Sequence, residues 1–177
     1  LYSTPEKSPI TSWAYSILGQ IYVVLPLALL GVWGYKSDYQ LFMNTEYLLM
    51  ALFVFVWTND TGAYIVGCTL GKHRLFERIS PKKSWEGFFG GLAFCIILAS
   101  LANHIIPGML STAQWIGMGI LTSIFSTWGD LCESLLKRTA GVKDSGKILP
   151  GHGGILDRFD SELIASPVIF IYLTFVL

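Results

Sequence analysis

Apolar residues follow one another through five long stretches of the chain, and polar residues gather between them. Residues 13–35, 87–106 and 114–129 contain no Asp, Glu, Lys or Arg, residues 47–71 contain only Asp60, and a fifth apolar run opens at Leu163 and continues to Leu177. A helix crosses the hydrocarbon core with about 20 mostly apolar residues. The pattern therefore predicts membrane-spanning helices over about 13–35, 47–71, 87–106, 114–136 and 162–177. The alternation of a membrane β-barrel strand is absent, because the apolar blocks are too continuous. The expected fold class is an all-α integral membrane protein, a polytopic helical bundle with two polar loops. A signal peptide is the other reading of the first run, but it is too long and no small-residue cleavage site ends it. The chain begins without Met and stops inside an apolar run, so residues 1–177 are expected to form one membrane-embedded catalytic domain, the C-terminal portion of a longer chain.

The charges sharpen this picture by where they fall. Residues 72–86 hold seven, residues 130–162 hold eleven, and the remainder of the chain holds six: Glu6, Lys7, Lys36, Asp38, Glu46 and Asp60. Charged residues make up 14% of the chain, against about 25% in ordinary soluble domains. Such patterning excludes a disordered chain and a basic nucleic-acid-binding face. Lys and Arg number five in each island, one in 36–46 and none in 107–113. Alternating spans put both basic islands on one side, which the positive-inside rule assigns to the cytoplasm. Cys68, Cys95 and Cys132 have no paired spacing and lie in or beside apolar runs, as small buried hydrophobes.

The second island contains the densest chemistry. Asp130, Glu133, Ser134, Lys137 and Arg138 recur at helical spacing, with Leu131, Cys132, Leu135 and Leu136 between them, which puts polar groups on one stripe and apolar groups on the other. A solvated helix end with i,i+4 ion pairs accounts for the same spacing, although an acid at the membrane boundary is costly unless paired or metal-bound. Beyond it come Lys143, Asp144 and Lys147, then Pro150, Gly151, His152, Gly153 and Gly154, then Asp157, Arg158 and Asp160. Glycines bring backbone N–H groups close to an anion, and Asp157 and Asp160, three apart at a helix start, can turn to one cation. Hard oxygen ligands suit Mg²⁺, which takes one or two carboxylates together with water and phosphates. A flexible charged turn is the plainer reading.

Three further features need weighing. Gly141 to Lys147 imitates a P-loop, but Ile148 stands where Ser or Thr is required, and the segment follows a helix rather than a strand. Asn59-Asp60-Thr61 forms a sequon inside an apolar span, where no glycan is added. Asp60 is the sole charge within a span, in its inner half, and is either a functional acid or a structural Asp helped by Asn59 and Thr61. In the first island, Ser80, Lys82, Lys83 and Ser84 place lysines and hydroxyls at the membrane surface. Those lysines suit a phosphate group, or equally act as topology determinants drawn to anionic lipid.

The stretch Ser134-Leu135-Leu136-Lys137-Arg138, then Lys143-Asp144-Ser145-Gly146, then Leu149-Pro150-Gly151-His152-Gly153-Gly154-Ile155-Leu156-Asp157-Arg158-Phe159-Asp160 closely resembles the signature of the phosphatidate cytidylyltransferases, the CDP-diacylglycerol synthases. It covers about 27 residues with every fixed position present. The resemblance extends over roughly residues 50–170 through Asn59-Asp60-Thr61-Gly62-Ala63-Tyr64, Gly71-Lys72 and Ser80-Pro81-Lys82-Lys83-Ser84-Trp85-Glu86-Gly87, with Ser84 where the family often has Thr. Before residue 40 no motif matches.

The resemblance implies an enzyme of phospholipid biosynthesis, a nucleotidyltransferase joining CTP and phosphatidic acid into CDP-diacylglycerol and pyrophosphate, with Mg²⁺ as cofactor and room for a second cation. It implies metal binding by Asp130 and Asp157, with Glu133 and Asp160 adjacent. Lys137, Arg138, Lys143 and Arg158 would hold the triphosphate and the lipid phosphate, Asp144 would join the catalytic set, and Gly151, Gly153 and Gly154 would pack on the nucleotide. His152 fits a positioning or phosphate-binding role, since phosphatidate is already largely dianionic and needs no strong base. Asp60, Ser80, Lys82, Lys83 and Ser134 are assigned to substrate binding. The expected setting is the bacterial cytoplasmic (inner) membrane with the site facing the cytoplasm, in contact with membrane lipids and without nucleic acid; a homodimer is what the family suggests. A cytidylyltransferase for another lipid phosphate, such as an ether-linked isoprenoid lipid, is the nearest alternative. CDP-alcohol phosphatidyltransferases need two further aspartates that are missing here. An ion-coupled transporter would use Asp60 and Asp130 but leaves the glycine-rich island unexplained, and a purely structural subunit leaves the charges without purpose.

Overall fold

A computed structural model describes residues 9–34, 45–142, 145–146 and 154–177. Helix α1 (Pro9–Gly19) runs through a π-helical turn, Gln20–Val24, into α2 (Leu25–Gly34). There follow α3 (Thr45–Leu70), a hairpin of β1 (Arg74–Phe76) and β2 (Ser80–Ser84), then α4 (Trp85–Ile105), α5 (Thr112–Thr139) and α6 (Leu156–Val176). Among the described residues, four helical segments are long and apolar enough to cross a membrane: Ile10–Val32, Glu46–Leu70, Trp85–Ile105 and Leu156–Val176. The all-α polytopic reading therefore holds.

Three expectations change. Helix α5, expected over 114–136, extends over Thr112–Thr139 and is not among the four apolar spans. Its 28 residues reach about 42 Å at 1.5 Å per residue. It is the inner helix, packed against α3, α4 and α6, and it buries Thr122, Ser123, Ser126, Thr127 and Glu133. Polar groups tolerated in protein surroundings lower its apolarity without exposing them to lipid. The last helix begins at Leu156 rather than near 162, because Asp157 in its first turn accepts backbone N–H groups there and suits the positive end of the helix dipole. The first island is a hairpin rather than a plain loop. Its strands pair antiparallel, with Arg74 opposite Ser84 and Phe76 opposite Ser80. Ser84 then caps α4 by accepting the Gly87 N–H at 3.1 Å, as short hydroxyl side chains do at helix starts.

The core lies where α3, α4, α5 and α6 meet, around Leu52 and Phe55, Cys95 and Ala99, Trp115 and Met118, and Ala165 and Ile169. Glycines set the helix spacing. A Cβ on Gly91 of α4 would meet Asn59 Oδ1 at 2.5 Å and the Asn59 carbonyl at 2.7 Å. One on Gly129 of α5 would meet the Asp160 carbonyl oxygen at 2.5 Å. Small residues of this kind let helices in a membrane approach backbone to backbone. The result brings Asn59, Asp130 and Asp160 toward one end of the bundle. The outward faces carry exposed apolar side chains such as Trp13, Ile17, Met50, Trp57, Ile97 and Phe175, consistent with lipid around the bundle.

Candidate active site at the polar end of the bundle

Lys83, the penultimate residue of β2, reaches Asp130 on α5 with Nζ to Oδ2 at 2.6 Å. It also donates to the Thr127 carbonyl at 3.4 Å. Ser134, one turn further along α5, donates to Asp130 Oδ1 at 3.2 Å. The two charged islands, separate in sequence, therefore share one ion pair. Beside that pair opens a cavity of about 290 Å³ lined by Asn59, Asp60, Lys82, Lys83, Thr127 and Asp130, among others. Asp60 opens onto this cavity, within electrostatic range of Asp130 and Asp160. Contact between Gly129 and the backbone of residues 160–161 is what sets Asp160 close to Asp130.

Asn59 is the tie beneath the cavity. Fully buried, it accepts from Ser123 Oγ at 2.6 Å and donates to Ser126 Oγ at 3.1 Å and Thr127 Oγ1 at 3.4 Å. This network fixes α3 against α5 one residue from Asp60. A buried amide with its oxygen and nitrogen both engaged is stabilising and orienting.

The second half of the site is built around Lys137. Its ammonium lies 2.5 Å from Glu133 Oε2 and 2.8 Å from Asp157 Oδ1. The Glu133 side chain is wholly buried, and its Oε1 has no protein partner. Lys137 stands past the expected span. Burial alone would pull its pKa down, but hydrogen bonds to Asp157 and Glu133 outweigh that and the net shift is upward, so the ammonium remains charged. Asp157 additionally accepts the backbone N–H of Ser145 (3.2 and 3.0 Å) and of Gly154 (2.7 Å). It thereby clamps the two described ends of the glycine-rich connection together. A Cβ on Gly154 would strike Ser145 Oγ and meet the Gly146 nitrogen at 2.8 Å, so only glycine lets these backbones pass.

Of the residues chosen from sequence, the structure gathers Asp60, Lys82, Lys83 and Asp130 at the cavity, with Ser134 bonded to Asp130 behind it, and Glu133, Lys137, Gly154 and Asp157 around the second ion-pair cluster. Asp160 sits between the groups, its Oδ1 accepting the Ser161 N–H at 2.6 Å. Ser80 stands at the start of β2 and is not among the residues lining the cavity. Arg138 and Arg158 are exposed. Lys143, Asp144, His152 and Gly153 lie outside the described residues, as do Lys147 and Gly151.

Sequence reasoning missed several contributors. Asn59 was noted only as a helper of Asp60, yet it carries the α3–α5 tie. His73 Nδ1 meets Glu86 Oε1 at 2.6 Å, and the His73 N–H also points at that carboxylate, bracing the hairpin against α4. Glu162 is buried on α6 with Oε2 unpartnered. The available signal for Glu162 was a charge inside the last apolar segment.

The cytidylyltransferase family model matches residues 2–176. A phosphatidate cytidylyltransferase of Staphylococcus aureus (strain COL) is 41% identical over 160 residues, covering 90% of this chain and 61% of the relative. One from Staphylococcus haemolyticus (strain JCSC1435) is 41% identical and one from Staphylococcus epidermidis (strain ATCC 12228 / FDA PCI 1200) is 40% identical, each over 159 residues. The chain thus spans about 61% of the length of these curated relatives. A match running from residue 2 to residue 176 and embracing both halves of the site shows that the chain belongs to the cytidylyltransferase family.

Proposed function

We propose that this chain carries the catalytic centre of a CTP:phosphatidate cytidylyltransferase, which makes CDP-diacylglycerol and pyrophosphate. The observation that supports it beyond family membership is the Lys83–Asp130 ion pair at a cavity, which joins a lysine-rich hairpin at the membrane surface to the acids of the second island. The similarity to relatives named phosphatidate cytidylyltransferase supports the choice of substrates.

In this reaction a phosphate oxygen of phosphatidate attacks the α-phosphorus of CTP. A new P–O bond forms there, the bond to the oxygen bridging the α- and β-phosphorus breaks, and pyrophosphate leaves with that electron pair. Both reactants are polyanions, so charge neutralisation and alignment carry most of the rate. Lys82 and Lys83 would receive the lipid phosphate at the cavity. Lys137, Arg138, Lys143 and Arg158 would hold the triphosphate, with the glycine-rich connection against the nucleotide. Asp157 orients Lys137 and closes the ends of that connection, and Asn59 keeps the Asp60 wall fixed against α5.

Mg²⁺ fits the donor chemistry of the site: hard carboxylate oxygens on Asp130 and Asp157, with Glu133 and Asp160 adjacent and Glu133 Oε1 buried without a protein partner. Among the described residues no three of His, Cys, Asp or Glu converge into a full protein shell, so substrate phosphates and water would complete the coordination, as is usual for this ion. When bound, the cation neutralises phosphate charge and polarises the reacting phosphoryl group. The basic content of the two connections supports a cytoplasm-facing site in a bacterial membrane.

The test supplies the purified full chain in detergent with radiolabelled CTP, phosphatidic acid and Mg²⁺ and counts lipid-soluble label. Absence of label overturns the reading. Label formed only with an ether-linked isoprenoid phosphate would reassign the lipid.

A further inference from the structure

The first membrane helix contributes a group that the proposed reaction has not used. Gln20–Val24 form a π-helical turn between α1 and α2. Such turns insert an extra residue, re-aim one face of the helix and occur frequently at functional sites. Tyr22 stands at its centre. Its hydroxyl is buried and has no hydrogen-bond partner, an uncommon state for a strong donor shut away from water. It lies within electrostatic range of Glu133, Asp160 and Asp130, and this helix packs against α6, which carries Asp160. An unpartnered acceptor, Glu133 Oε1, belongs to the same neighbourhood.

An unpartnered donor in the neighbourhood of an unpartnered carboxylate oxygen calls for a ligand that brings acceptor oxygens together with compensating cations. Phosphate held by Lys83 and a divalent ion has that chemistry. The side of approach selects which phosphate. Ile21, next to Tyr22, and Val24, two residues on, are 58% and 59% exposed on a helix whose apolar window turns outward to the bilayer. The segments assigned to nucleotide, residues 145–146 and Gly154, are instead held by Asp157 at the start of α6.

Resting on the cytidylyltransferase reading, we propose that Tyr22 is a substrate-contacting residue whose hydroxyl donates a hydrogen bond to a phosphate oxygen of the lipid rather than of the nucleotide. Tyr22→Phe in the full chain keeps the ring and removes only the donor. Short-chain phosphatidate binding by calorimetry and steady-state turnover are measured on both proteins, with thermal unfolding alongside. Loss of one hydrogen bond to a charged group raises both the Kd and the KM for phosphatidate roughly tenfold, while the KM for CTP and the unfolding temperature stay at wild-type values. A rise in the KM for CTP alone, or unchanged phosphatidate binding, overturns the assignment. So does a lowered unfolding temperature with both KM values intact, which marks a purely structural tyrosine. If wild-type protein binds phosphatidate more tightly than Tyr22→Phe yet forms no CDP-lipid, the contact stands and the reaction assignment fails. If both proteins turn over alike, the reaction stands and the contact fails.

Discussion

Replacing Asn59 by Ala removes the amide that ties α3 to α5, and the cost follows from what each partner does afterwards. Ser126 Oγ and Thr127 Oγ1 also donate to the Ser123 carbonyl, at 3.2 and 2.9 Å, so both hydroxyls keep a partner. Ser123 Oγ loses its 2.6 Å acceptor and is left buried. A membrane-embedded hydrogen bond averages about 0.6 kcal/mol, and orphaning a buried hydroxyl adds about 1–3 kcal/mol. With two good bonds and one long one lost, Asn59→Ala should destabilise by roughly 2–3 kcal/mol. SDS titration of the protein in mixed micelles reads this as a shift in midpoint. Ser126→Ala and Thr127→Ala should each cost under about 1 kcal/mol. A cycle with Ser123→Ala should return a coupling of about 1 kcal/mol with Asn59. An Asn59→Ala cost below about 0.5 kcal/mol, or a Ser126→Ala cost equal to it, would refute the network as the α3–α5 tie.

Lys83→Met should lower CDP-lipid formation by about 10²-fold or more, the scale for losing one electrostatic contact in an active site, with Lys83→Arg recovering part of it; unchanged turnover would separate the cavity from the chemistry. Asp157→Asn should abolish turnover and also release Ser145 from Gly154, read as faster proteolysis at those two residues, because it removes an ion pair and weakens the clamp on two backbone N–H groups. Gly91→Val should cost about 1–3 kcal/mol or prevent assembly of the bundle, since its Cβ meets Asn59; a neutral effect in the same SDS titration would show that α3 and α4 can move apart. Removing divalent cation with EDTA should stop turnover while leaving helix content by circular dichroism unchanged, because the Asn59 network that ties α3 to α5 includes none of the proposed metal ligands.

The apolar runs fixed the helical class and four of the spans, because crossing hydrocarbon imposes a length and a composition that are read directly from the chain. The island from Ser134 to Asp160 announced its chemistry in the same way, through acids, bases and glycines crowded into few residues. Partnership was not legible. That Lys83 would reach Asp130, or that Lys137, already an i,i+4 neighbour of Glu133, would also meet Asp157, depends on how the hairpin, α5 and α6 are spaced, and that spacing is set by contacts at Gly91 and Gly129 whose partners are remote in sequence. The polar content of α5 was equally ambiguous, since hydroxyls inside a helix read alike whether they face lipid or another helix; only packing reveals that Ser123, Ser126 and Thr127 face Asn59. Tyr22 looked like one more aromatic in an apolar run, and a π-helical turn together with the burial of its hydroxyl among acids is what sets it apart. Sequence by itself determined the solvent in which each segment lives and the charges available to the site. Tertiary structure decided which charges meet, because a hydrogen bond is made over about 3 Å and no local pattern specifies a distance between helices.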